Sequence, residues 1–212
     1  MKRTFHTIAE VCDDYKLIGY NHQQLELKQY SINDIQGLVS GYRPHVLIDG
    51  QEKILWCCGN SINTNEIILL PPTDWPHPHQ WWMKGKTELR KKYVDNLLSC
   101  DILKKKYVDF EELYNELVSI NITQGDLFRY DLARRIGYCL GIRPQNYVYL
   151  HKGAQKGAEE LHKKGYIALP VGWEKHVRID IFSSIFPNID AIDIENLLCI
   201  YKEAFCKLKT KS

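Results

Sequence analysis

The residues of this chain whose types and spacing could do chemistry lie in one short stretch. It reads Leu150-His151-Lys152-Gly153-Ala154-Gln155-Lys156-Gly157-Ala158-Glu159-Glu160-Leu161. Small side chains stand at 153, 154, 157 and 158, with a leucine at each end. Small residues allow a tight turn between two short helices and let backbone approach a ligand closely. A helix starting after such a turn presents unpaired N–H groups, which suit a phosphate. Lys152 and Lys156 add positive charge at the same place. The expected chemistry is a cradle for a nucleic-acid backbone, which positions the polymer without reading its sequence.

This stretch resembles the hairpin of the helix-hairpin-helix DNA glycosylase superfamily. That hairpin has the form Leu-Pro-Gly-Val-Gly-x-Lys-Thr-Ala, followed after a further helix by a catalytic Asp and then x-His. Leu150 matches the leading leucine, Lys156 the lysine and Ala158 the closing alanine. Glu174 falls 18 residues after Lys156, at the place of the aspartate, and His176 at that of the histidine. Gly125 and the segment with Ala133 and Ile136 resemble the part preceding the hairpin, so the likeness spans residues 88–186. His151, Lys152 and Gly157 depart from the proline, first glycine and threonine of the pattern, and glutamate replaces aspartate at 174. The family's iron–sulfur cysteine set is absent, although Cys199 and Cys206 have the spacing of its first pair.

The resemblance implies base excision from duplex DNA, with the target base flipped into a pocket between helical lobes. Lys156 would attack the sugar C1′ as an amine, and Glu174 would stabilise the developing positive charge. Lys152, Gly153, Ala154, Gly157 and His176 would hold the DNA. Neither a cofactor nor a metal is implied. The alternative is a helical module that binds nucleic acid or protein without chemistry. A third reading rests on Tyr149-Leu150-His151 with Gly165-Tyr166-Ile167, which resembles the first signature of ADP-ribosyltransferases. Only 61 residues follow His151, too few for the sheet that fold needs.

Elements to position these residues can be read from spacing. Ser31-Ile32-Asn33-Asp34 predicts a helix start with a hydroxyl cap. Residues 45–48 and 53–57 around Asp49-Gly50 predict a β-hairpin, and Glu66–Leu70 a third strand stopped by Pro71-Pro72. Leu89, Tyr93, Val94, Leu97 and Leu98 form one helical stripe. Asp109-x-x-Glu112 predicts a cap for a second helix. Gly125 and Gly141 bracket a third. Residues 172–186 and 192–208 also carry helical spacing. The fold class expected is α+β, mainly α: a helical bundle with a helix-hairpin-helix-like element around 144–165 and a small N-terminal β-hairpin region. The domains expected are 1–83 and 84–212.

With 44% hydrophobic residues among 212, the chain can bury a core, which excludes a disordered protein. A net charge of +2 excludes a polycation, yet residues 84–178 hold 18 Lys/Arg against 12 Asp/Glu. That local excess favours an anionic partner. The seven cysteines are odd in number, and no apolar export or membrane segment opens the chain. Reduced thiols and a cytoplasmic location are expected, with no membrane partner. His77-Pro78-His79 with Asp74 sits in a proline-rich loop, a poor metal support. Cys57, beside Trp56 at a strand end, reads as a packed residue rather than a nucleophile.

Overall fold

The structure, a computed structural model, describes residues 4–17, 27–48, 51–54, 67–70, 78–120 and 125–211. In chain order its elements are α1 (Ile8–Leu17), α2 (Ile35–Ser40), β1 (Arg43–Ile48), β2 (Gln51–Ile54) and β3 (Ile67–Leu70). There follow α3 (Thr87–Ser99), α4 (Phe110–Ser119), α5 (Asp126–Leu140), β4 (Tyr147–Tyr149) and α6 (Lys152–Lys163). Last come β5 (His176–Arg178), α7 (Ala191–Ile200) and the single turn α8 (Lys202–Phe205). Turns of 3-10 helix cover Pro78–Met83 and Ile179–Phe182. The fold is α+β and mainly α, as the helical stripes and the hairpin indicate.

The chain divides into two compact units, and the division does not fall at 83/84. One unit, here called central, takes residues 24–55 and 64–143; the terminal unit takes 1–23, 56–63 and 144–212. The physical reason lies in the core of the central unit. Leu38 and Val39 of α2 are fully buried, and the Leu38 carbonyl accepts a 3.1 Å hydrogen bond from Arg135 Nη1 on α5. Trp82 meets Phe128 edge to face, with ring centroids 5.4 Å apart. Residues before 83 therefore share a core with the helices after it.

In the central unit the strands run in the order β2-β1-β3, both pairs antiparallel. Ile48 pairs with Gln51 across antiparallel β1 and β2, and the turn expected at Asp49-Gly50 lies outside the described residues. Asp109 caps α4 by accepting from Glu112 N–H at 2.9 Å, while Glu112 Oε2 accepts from Val108 N–H at 2.7 Å. Gly141 ends α5 in the left-handed region at φ 73°. The helix start expected at Ser31 moves by three residues, because the Asp34 carboxylate, not the Ser31 hydroxyl, caps α2 through Gly37 N–H at 2.9 Å. On α3, Tyr93 and Leu97 are buried as expected, but Leu98 is exposed. Arg135 is buried among Gln80 Oε1 at 2.8 Å, the Leu38 carbonyl and the face of Tyr30. Gln80 Nε2 in turn donates to Asp131 Oδ2 at 2.9 Å.

In the terminal unit α7 is the hub. Ile194, Leu197 and Leu198 are fully buried, together with Ala154, Ala158 and Leu161 of α6 and Val148 of β4. Tyr15 of α1 donates to Asp193 Oδ1 of α7 at 2.5 Å, and Tyr201 donates to Asp14 Oδ2 at 2.7 Å. The two phenols supply hydrogen bonds to carboxylates that would be costly to bury unpaired. The segment 172–186, expected as helix, is instead a turn, the strand β5 and a 3-10 turn. Val177 lies inside while His176 and Arg178 lie outside, the period of a strand, and β5 pairs antiparallel with β4.

Small residues make the α6–α7 contact. A methyl group at Gly157 would lie 2.8 Å from the Leu198 carbonyl carbon and 2.9 Å from its Cα. Gly157→Ala should therefore lower the unfolding free energy by about 1–3 kcal/mol, since backbone cannot yield as a side-chain tip can. Lys152→Ala, exposed on the same helix, should stay within about 0.5 kcal/mol. Urea unfolding of both variants checks this, and equal stabilities would contradict the close approach. A second expectation concerns alkali. Burial, and then the Asp193 charge, hold the Tyr15 phenol well above its ordinary value. The folded value exceeds the unfolded one, so this stabilisation is full below pH of about 10 and is lost as pH climbs beyond it. Tyr15→Phe should flatten the alkaline fall in stability, followed by tyrosinate absorbance and circular dichroism.

Candidate functional site

The segment 150–161 does not form a turn between two helices. Tyr147–Tyr149 is a strand, His151 is the residue preceding α6, and the small residues lie inside that one helix. A methyl group at Gly153 would meet Cys199 Sγ at 2.5 Å, and Ala154, Gly157 and Ala158 are buried. These four positions serve the packing of α6 on α7. The close backbone approach that their size predicted is real, but its partner is a helix of the same unit. Of the cradle, Lys152 remains exposed at the first position of α6.

Lys156 and Glu174 are not brought together by any hydrogen bond or ion pair among the described residues. Lys156 Nζ pairs with Glu203 Oε1 of α8 at 2.5 Å, with side chains 47% and 68% exposed. The hydrogen bond that Lys156 donates to Glu203, reinforced by the carboxylate charge, raises the Lys156 pKa above the ordinary lysine value. A nucleophilic amine needs the opposite shift. Glu174 lies exposed in the turn before β5, and its backbone carbonyl accepts from the Gln155 side chain. On a helix adjacent residues point about 100° apart, so with Gln155 toward that turn, Lys156 faces α8 instead.

His176 has a setting that residue spacing alone did not reveal. Val148 and Val177, directly opposite one another, are buried. The alternate row of the β4–β5 ribbon comprises Tyr147, Tyr149, His176 and Arg178, with Tyr147 opposite Arg178 and Tyr149 opposite His176. Leu150 N–H donates to the Lys175 carbonyl at 2.8 Å and Ile179 N–H to the Asn146 carbonyl at 3.0 Å. Counting inward, the Tyr147 and Tyr149 pairs occupy the non-bonded positions of the ladder, where facing side chains come closest. The Tyr147 and His176 rings meet edge to face, centroids 5.0 Å apart at 85°, and Tyr149 lies 6.0 Å from His176. His176 and Arg178 are exposed, Tyr147 is half-buried and Tyr149 is buried.

Cations gather at one end of this row. Lys175 immediately precedes β5, and Lys152 opens α6 just after β4, so both stand at the Tyr149–His176 end. Both are exposed, and neither forms an ion pair among the described residues. At the other end Arg178 Nε shares its charge with Asp180 at 3.1 Å. Tyr147, Lys175 and Arg178 were missed in the sequence. The alternation Tyr-Val-Tyr and His-Val-Arg was their signal, hidden by the helical spacing assigned to 172–186.

Asp74, His77, Cys57 and Cys58 lie outside the described residues. Among those described, no group of three or more His, Cys, Asp or Glu is placed to hold a metal ion. Cys12, Cys100, Cys139, Cys199 and Cys206 form no disulfide, and burial pushes the thiols of Cys12 and Cys139 up. No described helix is long and apolar enough to cross a membrane. Comparison with family models, with curated proteins and with solved structures returns no match to this chain.

The Lys156–Glu203 pair makes a direct chemical forecast. Borohydride treatment of the protein on abasic-site DNA should leave no adduct at Lys156 when the trapped peptide is mapped by mass spectrometry. An adduct there, lost in Lys156→Ala, would restore the amine-nucleophile reading.

Proposed function

We propose that the protein binds nucleic acid through the outer row of the β4–β5 ribbon and the lysines beside it, without excising bases. The observation that carries this reading is the meeting of Tyr147, His176 and Arg178 on one exposed face, with Lys152 and Lys175 at its end. Exposed cations free of ion pairs are what phosphates displace counterions from, and aromatic rings among them give the polymer something other than charge to touch. Lys152 and His176 are two of the residues that the glycosylase resemblance implies for DNA. They retain a binding role here. Lys156 and Glu174 do not gain a catalytic one, because the first is held protonated by Glu203 and the second has no described side-chain partner.

Duplex DNA is a partner on this reading, held by its phosphates. Binding should weaken steeply with salt, and each lysine removed from the contact should reduce the slope of log K against log salt by about 1. Lys152→Glu with Lys175→Glu should thus flatten the salt dependence and weaken binding in a mobility shift at low salt. Lys156→Glu, taken from an existing ion pair, should change it far less. Absence of any shift at low salt, or equal effects of the two sets, would reject the proposal.

A further inference from the structure

We infer that the ribbon is a stacking platform for unpaired bases, so that single-stranded nucleic acid is its preferred ligand; this rests on the binding reading above. A duplex offers an aromatic surface little to stack on. Its outside presents phosphates and base edges, whereas the flat faces of its bases are stacked on one another. A phenol and an imidazole set on a strand surface gain most from a flat partner. Stacking of bases on aromatic side chains is tolerant of sequence, because every base has such a face.

The ribbon has the geometry for this. Alternate residues of a strand lie roughly 6.5–7 Å apart, and neighbouring strands about 4.8 Å apart. Tyr147 and His176 are diagonal neighbours on that lattice, and their edge-to-face contact occupies one ring face only. His176 is exposed, so its imidazole can receive a base. Tyr149, directly opposite His176 on β4, is buried and lies 6.0 Å from it with the rings tilted by 41°.

Charge places the backbone of such a strand. Lys152 and Lys175 stand together at the His176 end, and Arg178 closes the Tyr147 end with its guanidinium partly committed to Asp180. Among the described residues, Glu174 is exposed beside Lys175 and Asp180 engages Arg178, which leaves the Lys152–Lys175 end with the excess of cations that favours phosphates. A strand laid along the row would set phosphates there and bases over His176 and Tyr147. The lysines of the C-terminal segment provide a contrast. Lys211 N–H bonds the Lys164 carbonyl at 2.8 Å and Tyr166 donates to the Lys209 carbonyl at 3.1 Å. That end of α6 is rich in lysine but shows no comparable aromatic row among the described residues.

The test uses the full chain and fluorescence anisotropy with a labelled single-stranded DNA oligonucleotide and a hairpin duplex of the same sequence. The single strand should bind more tightly. His176→Ala should weaken single-strand binding roughly 5- to 150-fold with little effect on the duplex, the range expected for one lost stack. Because Tyr147 is half-buried, Tyr147→Phe serves as its fold-preserving partner and should retain the affinity that Tyr147→Ala loses. Lys207→Glu with Lys211→Glu should weaken both ligands equally and slightly. Equal affinity for both ligands, or an unchanged His176→Ala, would overturn the stacking inference while leaving phosphate binding intact. No binding of either ligand at low salt would overturn both.

Discussion

Everything in the terminal unit depends on how closely α6 lies against α7. Gly153 lets the α6 backbone approach the Cys199 side chain, and Gly157 lets it approach the Leu198 backbone of α7. Packing at that distance leaves no gap for water and no freedom to slide, because interiors respond to a single added methylene. With α6 fixed, β4 is fixed too, since only Leu150 and His151 separate them. Val148 enters the same core as Ala154 and Leu197, and Val177 follows by pairing with it. Strand alternation does the rest: with the valines inward, Tyr147, Tyr149, His176 and Arg178 share the other face, where His176 and Arg178 are exposed and Tyr149 is covered. The candidate binding surface is a geometric consequence of two glycines that never touch it.

The same hub explains why the ends of the chain belong together. Asp193, Glu195 and Asn196 of α7 are buried although their helix is otherwise apolar. A carboxylate in such a place needs hydrogen-bond donors, and α1 supplies one through Tyr15, 178 residues away in sequence. Tyr201 and Asp14 repeat the arrangement with donor and acceptor exchanged between the two segments. Two reciprocal phenol–carboxylate bonds hold α1 in a unit whose other helices are all C-terminal. A boundary at 83/84 follows the change from mixed to helical texture along the chain, but these pairings ignore that order.

Local chemistry was legible in the sequence where it acts locally. Asp109 with Glu112, and Gly141, mark helix ends because a cap bonds within four residues of itself. The stripe Ile194, Leu197, Leu198, Tyr201 and Phe205 was readable because one long apolar face was buried throughout. Gly153 and Gly157 were readable only as places of close approach. A turn at a phosphate and a helix crossing need the same small residues, and the backbone of Leu198, 41 positions from Gly157, decides between them. The ribbon was hidden for a different reason. Three residues per strand are too few for a period of two to stand out against helical spacing on either side.

Charge was legible in amount and misleading in distribution. The excess in residues 84–178 is a property of a segment, and the fold redistributes that segment between two units. The terminal unit carries 13 Lys/Arg against 11 Asp/Glu, and the central unit 15 against 15. Neither total could attract a polyanion from a distance, since charges farther apart than about 8 Å are screened at physiological salt. Within that range what counts is which cations are already engaged. Lys104, Lys105, Arg129, Lys156 and Lys163 all lie against carboxylates, so much of the apparent excess is spent inside the surface. Lys152 and Lys175 are not so engaged, and they stand where the ribbon ends. Positive charge alone does not distinguish them from the lysines near the C-terminus. The aromatic row beside them does, because stacking on it would add a short-range, salt-insensitive contact to the salt-sensitive attraction of the lysines.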